Sequence, residues 1–153
     1  MRLQQVYLSL LILFTTSIVQ ALEHTMYFEY DHGSPTVTQT DNIVTMQGKG
    51  FNSIISKDIN FTSKKQYSLS FDIVDYNTTH KNLAITLRNG IAGAGTSSIV
   101  YQDKNISTGD KVDITFTPDN NYSNLQIWHD IGVPVILSIK NIQLKSTLRN
   151  TKL

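Results

Sequence analysis

The sequence predicts an all-β protein folded as a two-sheet antiparallel sandwich. Apolar residues recur at every second position through most of the chain, which is the period of a half-buried strand. Gly, Pro and Asn interrupt these runs at short intervals, as turns between strands require. No apolar stripe has helical spacing. About nine short strands without helices favour two packed sheets over any mixed fold.

The first half of the chain contains four predicted strands. Three of them cover residues 26–30, 43–47 and 53–61. The fourth, at residues 67–74, shows the clearest alternation, because Ser68, Ser70 and Asp72 separate its apolar residues. The apolar residues that share its predicted core face are Tyr67, Leu69, Phe71 and Ile73.

The second half contributes further strands with the same alternation. They are predicted at residues 83–88, 99–102, 112–117 and 125–128. Pro118 ends the third of these, because proline cannot donate a hydrogen bond to a neighbouring strand.

The last predicted strand, at residues 135–144, needs an irregularity. Its apolar residues occupy odd positions up to Ile139 and even positions from Ile142 onward. Side chains alternate between the two faces of a strand, so both sets can face the core only if the phase shifts between them. We therefore expect a bulge or kink near Lys140 and Asn141.

The N-terminal residues 1–21 have the pattern of a secretory signal peptide. Arg2 precedes an apolar run, and small residues lead to a cleavage site after Ala21. The run is interrupted by threonines and is shorter than the roughly 20 residues of a membrane span. We expect a cleaved leader, a β-sandwich domain over 22–145 and a flexible tail over 146–153. The mature chain, without a membrane span, is expected to be secreted into the periplasm or the extracellular space.

The composition argues against several classes of protein. Lys and Arg number 13 against 12 Asp and Glu, so the chain lacks the basic excess of a nucleic-acid-binding protein. Its 40% hydrophobic content is too high for a disordered chain. With no cysteine, a disulfide framework, a thiolate nucleophile and a Cys-based zinc site are excluded. Because the positive and negative charges nearly balance, recognition of a partner should depend on short-range contacts rather than on long-range attraction.

Catalytic and metal-binding motifs are absent from the sequence. The histidines lack the paired spacing of a metalloenzyme, and no Gly-x-Ser-x-Gly elbow is present. Glu29, Asp31 and His32 form the densest group of potential ligands, but successive residues of a strand point to opposite faces. The Gly-rich segment 90–95 lacks the Lys-Ser/Thr of a phosphate-binding loop and is expected to be a flexible connection. We expect no enzyme, no metal ligands and no cofactor.

The order of the strands resembles the jelly-roll carbohydrate-binding modules of secreted glycoside hydrolases, which have a galactose-binding-like β-sandwich. Phe28-Glu29 resembles the start of their first strand. The resemblance implies a jelly roll, and a structural calcium is left open, because Lys140-Asn141 stands where such modules carry an Asp ligand. The resemblance to these modules depends on five segments: Tyr67-Ser-Leu-Ser-Phe-Asp72, Leu83-Ala-Ile-Thr-Leu87, Val112-Asp-Ile-Thr-Phe-Thr-Pro118, Leu125-Gln-Ile-Trp128 and Ile136-Leu-Ser-Ile-Lys-Asn-Ile-Gln-Leu144.

Trp128, the only tryptophan, is the main candidate for a ligand contact. The alternation places it, with Gln126, on the face opposite the apolar residues of its strand. An exposed indole can stack on the C–H face of a sugar ring. Arg88 and Asp72 take outward positions on their own strands and are expected to bond to the sugar hydroxyls. The alternative is a structural Trp128 covered by a loop.

Two classes of function follow from these residues. The first is a secreted, non-catalytic binding module for a carbohydrate or similar polar surface ligand. The second is a structural or protein-interaction subunit of a cell-envelope or secretion assembly, or a secreted effector, that docks on a protein through a sheet edge or loops.

Four Asn-x-Ser/Thr triplets begin at Asn60, Asn77, Asn105 and Asn121. Each is a potential N-glycan acceptor in a eukaryotic secretory pathway. Composition alone accounts for about two to three such triplets, so their number does not decide whether they are used.

Overall fold

A computed structural model describes residues 21–32, 35–50, 52–57, 59–90, 95–129 and 133–147 of the chain. This part of the chain forms eleven strands and no helix, and every strand pairing is antiparallel. The strands are β1 (Ala21–His24), β2 (Phe28–His32), β3 (Thr36–Thr40), β4 (Ile43–Gly48), β5 (Asn52–Ser56), β6 (Tyr67–Thr78), β7 (Leu83–Arg88), β8 (Ser97–Asp103), β9 (Lys111–Phe116), β10 (Asn124–His129) and β11 (Val135–Thr147).

The strands form two sheets. The six-stranded sheet has the order β3-β4-β11-β6-β9, and β1 pairs with the C-terminal part of β11. The five-stranded sheet has the order β2-β5-β10-β7-β8. The two sheets share one apolar core, to which alternate residues of β6, β7 and β10 contribute. The predicted all-β, two-sheet antiparallel sandwich is confirmed.

Every predicted strand overlaps an observed one, but β1 and β3 were not predicted. All residues of β3 are exposed except the half-buried Val37, so the strand shows almost no alternation of polarity. The strand predicted at 53–61 ends earlier, at Ser56. Phe61 lies beyond it and forms only an isolated bridge with Tyr122.

The predicted irregularity in the last strand is confirmed. The register of β11 against β6 shifts between Lys140 and Gln143. Asn141 has a φ of 54°, in the left-handed region, which asparagine tolerates better than most residues. The shift lets Ile139 and Leu144 both face the core, where they are 0% and 1% exposed.

The expected start of the tail at residue 146 is wrong. The strand β11 continues through Ser146, which is 1% exposed and pairs with Tyr67 on one side and Leu22 on the other. The reason is β1, which covers the end of β11 and was not predicted. The leader residues 1–20, the tail residues 148–153 and residues 91–94 of the Gly-rich connection lie outside the described residues. Of the residues described, none belongs to a helix that could span a membrane.

Candidate functional site

The five-stranded sheet carries a polar cluster on the face that points away from the core. Because Leu125 and Ile127 enter the core, the residues between them must face the opposite way. Gln126 lies directly opposite Thr86 on one neighbouring strand and Ile55 on the other. We call this surface the outer face; it comprises Asp31, Ser53, Ile55, Ala84, Thr86, Arg88, Asn124, Gln126 and Trp128.

Four side chains from four strands join in one network on the outer face. Arg88 Nη1 donates a hydrogen bond to Gln126 Oε1 at 3.0 Å. Gln126 Nε2 donates to Asp31 Oδ2 at 2.6 Å, and Ser53 Oγ donates to the same oxygen at 3.1 Å. Arg88 Nη1 also lies 3.7 Å from Asp31 Oδ2. The network therefore ties β2, β5, β10 and β7 together.

The charges in this network are buried. The side chain of Arg88 is 8% exposed and that of Asp31 is 1% exposed. Removing two charges from water is costly, and the cost is offset only when the pair is close and its other polar atoms are bonded. Gln126 and Ser53 supply such bonds to Asp31. Seven of the nine residues of the outer face are buried and the side chain of Asp31 is 1% exposed, so little of this ordered polar layer besides Trp128 reaches solvent.

Trp128 lies beside this network. Its Nε1 donates a hydrogen bond to Thr86 Oγ1 at 2.8 Å, which fixes the orientation of the indole ring. The sequence predicted that Trp128 faces away from the core, and the structure places it there. The ring is half-buried, whereas the sugar-stacking hypothesis started from an exposed one. As a residue, Trp128 is nonetheless more exposed than Gln126 and Arg88 beside it.

The expectation that Asp72 lies near Trp128 is wrong. Asp72 belongs to β6 in the six-stranded sheet, and its neighbours Phe71 and Ile73 enter the core. It therefore faces solvent on the opposite side of the sandwich. There it accepts a hydrogen bond from Asn141 Nδ2 at 2.7 Å. Alternation identifies the outward side of a strand but does not say to which sheet the strand belongs.

No family model matches the chain, and no curated protein matches its sequence. Solved structures match its fold. The structure of a family 4 carbohydrate-binding module superposes with a TM-score of 0.59 at 13% identity, over 78% of this chain and 94% of that chain. The chain has the jelly-roll fold of carbohydrate-binding modules.

Family 29 carbohydrate-binding modules share the same jelly roll. A variant complexed with mannohexaose has a TM-score of 0.56 at 14% identity and covers 84% of this chain and 93% of its own. Another, complexed with cellulohexaose, has a TM-score of 0.53 at 16% identity and covers 84% and 92%. The resemblance inferred from the strand order is thus confirmed at the level of fold.

Asp31 is the residue of this jelly roll that sequence reasoning missed. In the sequence it stands out only beside Glu29 and His32, as one of a group of potential metal ligands. The register of β2 against β5 shifts between Tyr30 and His32, so Asp31 falls in a bulge and reaches the outer face. Among the described residues, no group of three His, Cys, Asp or Glu side chains converges. An acidic residue within a short strand was the available signal.

His129 supports the end of β10 next to Trp128. Its ring is 0% exposed, and its Nδ1 lies 2.7 Å from the Tyr76 hydroxyl. The backbone N–H of Asn82 donates to that same hydroxyl at 3.1 Å. His129 is therefore part of the core packing, and it helps to hold Trp128 in place.

Proposed function

We propose that the chain is a secreted, non-catalytic binding module that holds a carbohydrate on the outer face of the five-stranded sheet. One observation carries the proposal: Trp128, Gln126 and Arg88 lie on the same face and are fixed there by Thr86 and Asp31. The jelly-roll fold supports it, since the similar solved structures include modules complexed with mannohexaose and cellulohexaose.

The side chains of the outer face have different roles in this proposal. Trp128 makes the first contact, because it is the most exposed of these three residues and an indole can stack on the apolar face of a sugar. Gln126 and Arg88 are only 3% and 6% exposed, so they set the polarity beneath the sugar and offer it few free atoms. Asp31 acts as a positioning residue for both. A surface that is already ordered loses less conformational entropy when the ligand binds.

The central test is the binding of mannohexaose and cellulohexaose, followed by a glycan array, to wild type and Trp128→Ala. Loss of the stacked ring should weaken binding roughly 5- to 150-fold, which corresponds to about 1 to 3 kcal/mol. Thr115→Ala on β9 is the matched control, because Thr115 is exposed on the other sheet and should leave affinity unchanged. Equal affinity of wild type and Trp128→Ala contradicts the proposed site.

Fluorescence distinguishes a Trp128 that contacts a ligand from a Trp128 that only packs against the protein. Trp128 is the only tryptophan, so all indole emission comes from the outer face. An accessible ring should be quenched by iodide, and the ligand should protect it. A ring that iodide does not reach, together with a stability loss of about 3 to 5 kcal/mol in Trp128→Ala, would identify a packing role. If the wild type also bound no glycan, the protein-docking alternative would replace the proposal.

Secretion and the lack of catalysis are parts of the same proposal. The pattern of residues 1–21 supports cleavage after Ala21, so mass spectrometry of exported protein should find Leu22 at the N-terminus. The side chain of Asp31 is 1% exposed and already bonded to Gln126 and Ser53, so it offers a substrate almost no accessible atom. Prolonged incubation with a bound oligosaccharide should release no shorter sugars.

A further inference from the structure

We propose that the asparagines of the four Asn-x-Ser/Thr triplets are acceptors for N-linked glycans, and that the fold places them where their glycans do not cover Trp128. The proposal adds to the binding function and rests on the secretion proposed above, through a eukaryotic pathway. The four acceptors are Asn60, Asn77, Asn105 and Asn121.

The modification forms one bond and breaks one. A lipid-linked oligosaccharide diphosphate is the donor, and the side-chain nitrogen Nδ2 of the asparagine is the acceptor. The bond between Nδ2 and the anomeric carbon forms while the bond from that carbon to the diphosphate oxygen breaks. The nitrogen loses one proton, and the lipid diphosphate leaves. A folded acceptor therefore needs an exposed Nδ2 that the structure does not use as a hydrogen-bond donor.

The four acceptor asparagines are all exposed. Of the described asparagines outside the triplets, Asn52, Asn82 and Asn124 are 0%, 7% and 8% exposed, whereas Asn42, Asn120 and Asn141 are exposed like the acceptors. Exposure alone is common for asparagine, so hydrogen bonding is the sharper criterion.

The side-chain nitrogens Nδ2 of the triplet asparagines make no hydrogen bond within the described part of the chain. Asn121 uses only Oδ1, which accepts the Ser63 N–H at 2.8 Å, and this bond survives glycosylation at Nδ2. Outside the triplets, five asparagines donate through Nδ2 to other residues. These are Asn42, Asn52, Asn89, Asn124 and Asn141. Five of the seven described asparagines outside the triplets thus donate through Nδ2, whereas none of the four inside the triplets does.

The acceptors lie at the two ends of the sandwich. Asn60 and Asn121 are at one end, beside the backbone bridge between Phe61 and Tyr122. Asn105 is at the other end, in the connection between β8 and β9. Asn77 is near the same end on β6 and points away from the core, because its neighbour Tyr76 is buried. None of the four belongs to the outer face, so glycans would flank the binding surface.

The test uses the full chain expressed in a eukaryotic secretory host, once with its own leader and once with a host leader. Intact mass is measured before and after treatment with peptide N-glycosidase, for wild type and for N60Q, N77Q, N105Q and N121Q. Each of these variants should lose one glycan mass. Asn120 is exposed but begins no triplet, so N120Q is the matched control and should keep the wild-type glycan mass.

The outcomes separate this proposal from the proposed function. A wild-type chain that leaves the host with only its polypeptide mass overturns the acceptor sites. Glycans found only with the host leader support the acceptor sites and refute the proposed leader. Iodide quenching of Trp128 should be the same before and after enzyme treatment, and this comparison needs no ligand. Stronger quenching after deglycosylation would overturn the claim that the glycans do not cover Trp128.

Discussion

At the scale of single residues, Asp31 and Arg88 form the most consequential pair in the molecule. They come from β2 and β7, which are not neighbours in the five-stranded sheet, and they meet across the polar side chain of Gln126. Both side chains are almost completely buried. The pair therefore links the arrangement of the outer face to the stability of the fold.

Asp31→Asn should lower the free energy of unfolding by about 3 to 5 kcal/mol, because it leaves the buried Arg88 charge without its carboxylate. Urea denaturation measures this change. The double variant Asp31→Leu with Arg88→Met removes both charges and should recover much of the loss. A double variant no more stable than Asp31→Asn would show that the loss does not come from the unpaired charge.

His24 should make stability depend on acidity. Burial first, and the positive charge of Lys65 second, lower its pKa from the usual 6.5. The folded state then binds a proton more weakly than the unfolded state, so stability should fall as the pH falls below 6.5. In chemical denaturation between pH 8 and pH 5, His24→Gln should fall less steeply than wild type. Parallel curves would mean that His24 does not contribute.

At the scale of elements, the bulge in the long strand β11 depends on a single residue with an unusual backbone conformation, Asn141. Asn141 adopts φ 54° and bonds through its side chain to both Asn42 and Asp72. The first bond reaches the turn between β3 and β4, and the second reaches β6. One residue thus holds the bulge and secures it to two neighbours.

Two substitutions of Asn141 separate backbone strain from hydrogen bonding. Both Asn141→Ala and Asn141→Gly remove the side-chain bonds, but only glycine adopts a positive φ without a steric penalty. Asn141→Ala should therefore be less stable than Asn141→Gly by about 1 to 2 kcal/mol, measured by thermal denaturation. The opposite order would show that the bulge relaxes when the side chain is lost.

At the scale of the whole molecule, the first and last strands of the described chain pair with each other. The strand β1 at the start of the described chain pairs with Leu144–Thr147 of β11, at its end. Cleavage after Ala21, as proposed, would leave Leu22, Glu23 and His24 to form this pairing. The mature protein would then begin within the sheet.

A chain that starts at Thr25 should melt at a lower temperature than one that starts at Leu22. It loses the partner of the last part of β11 and exposes unpaired backbone groups along that edge. Thermal scanning measures the stability, and light scattering measures the aggregation that an open edge promotes. Equal melting temperatures would show that β1 adds nothing to the fold.

The all-β class, nine of the eleven strands, the inward face of the most regular ones and the bulge near Asn141 follow from the sequence alone. These features are local: side chains alternate along a strand, so polarity at successive positions reports which side is buried. The outward position of Trp128 and Gln126 followed from the same rule. The pattern does not predict β3, because nearly all its residues are exposed. It does not predict β1 either, because that strand forms only by pairing with the far end of the chain.

Only the tertiary structure decided which outward faces lie together. Asp72 and Arg88 have the same outward alternation on their own strands, yet they lie on opposite sides of the sandwich because β6 and β7 belong to different sheets. Asp31 joined Arg88 and Gln126 only because the bulge in β2 turned it toward the outer face. Sheet membership depends on pairings between distant segments, and alternation within one strand carries no information about its partners.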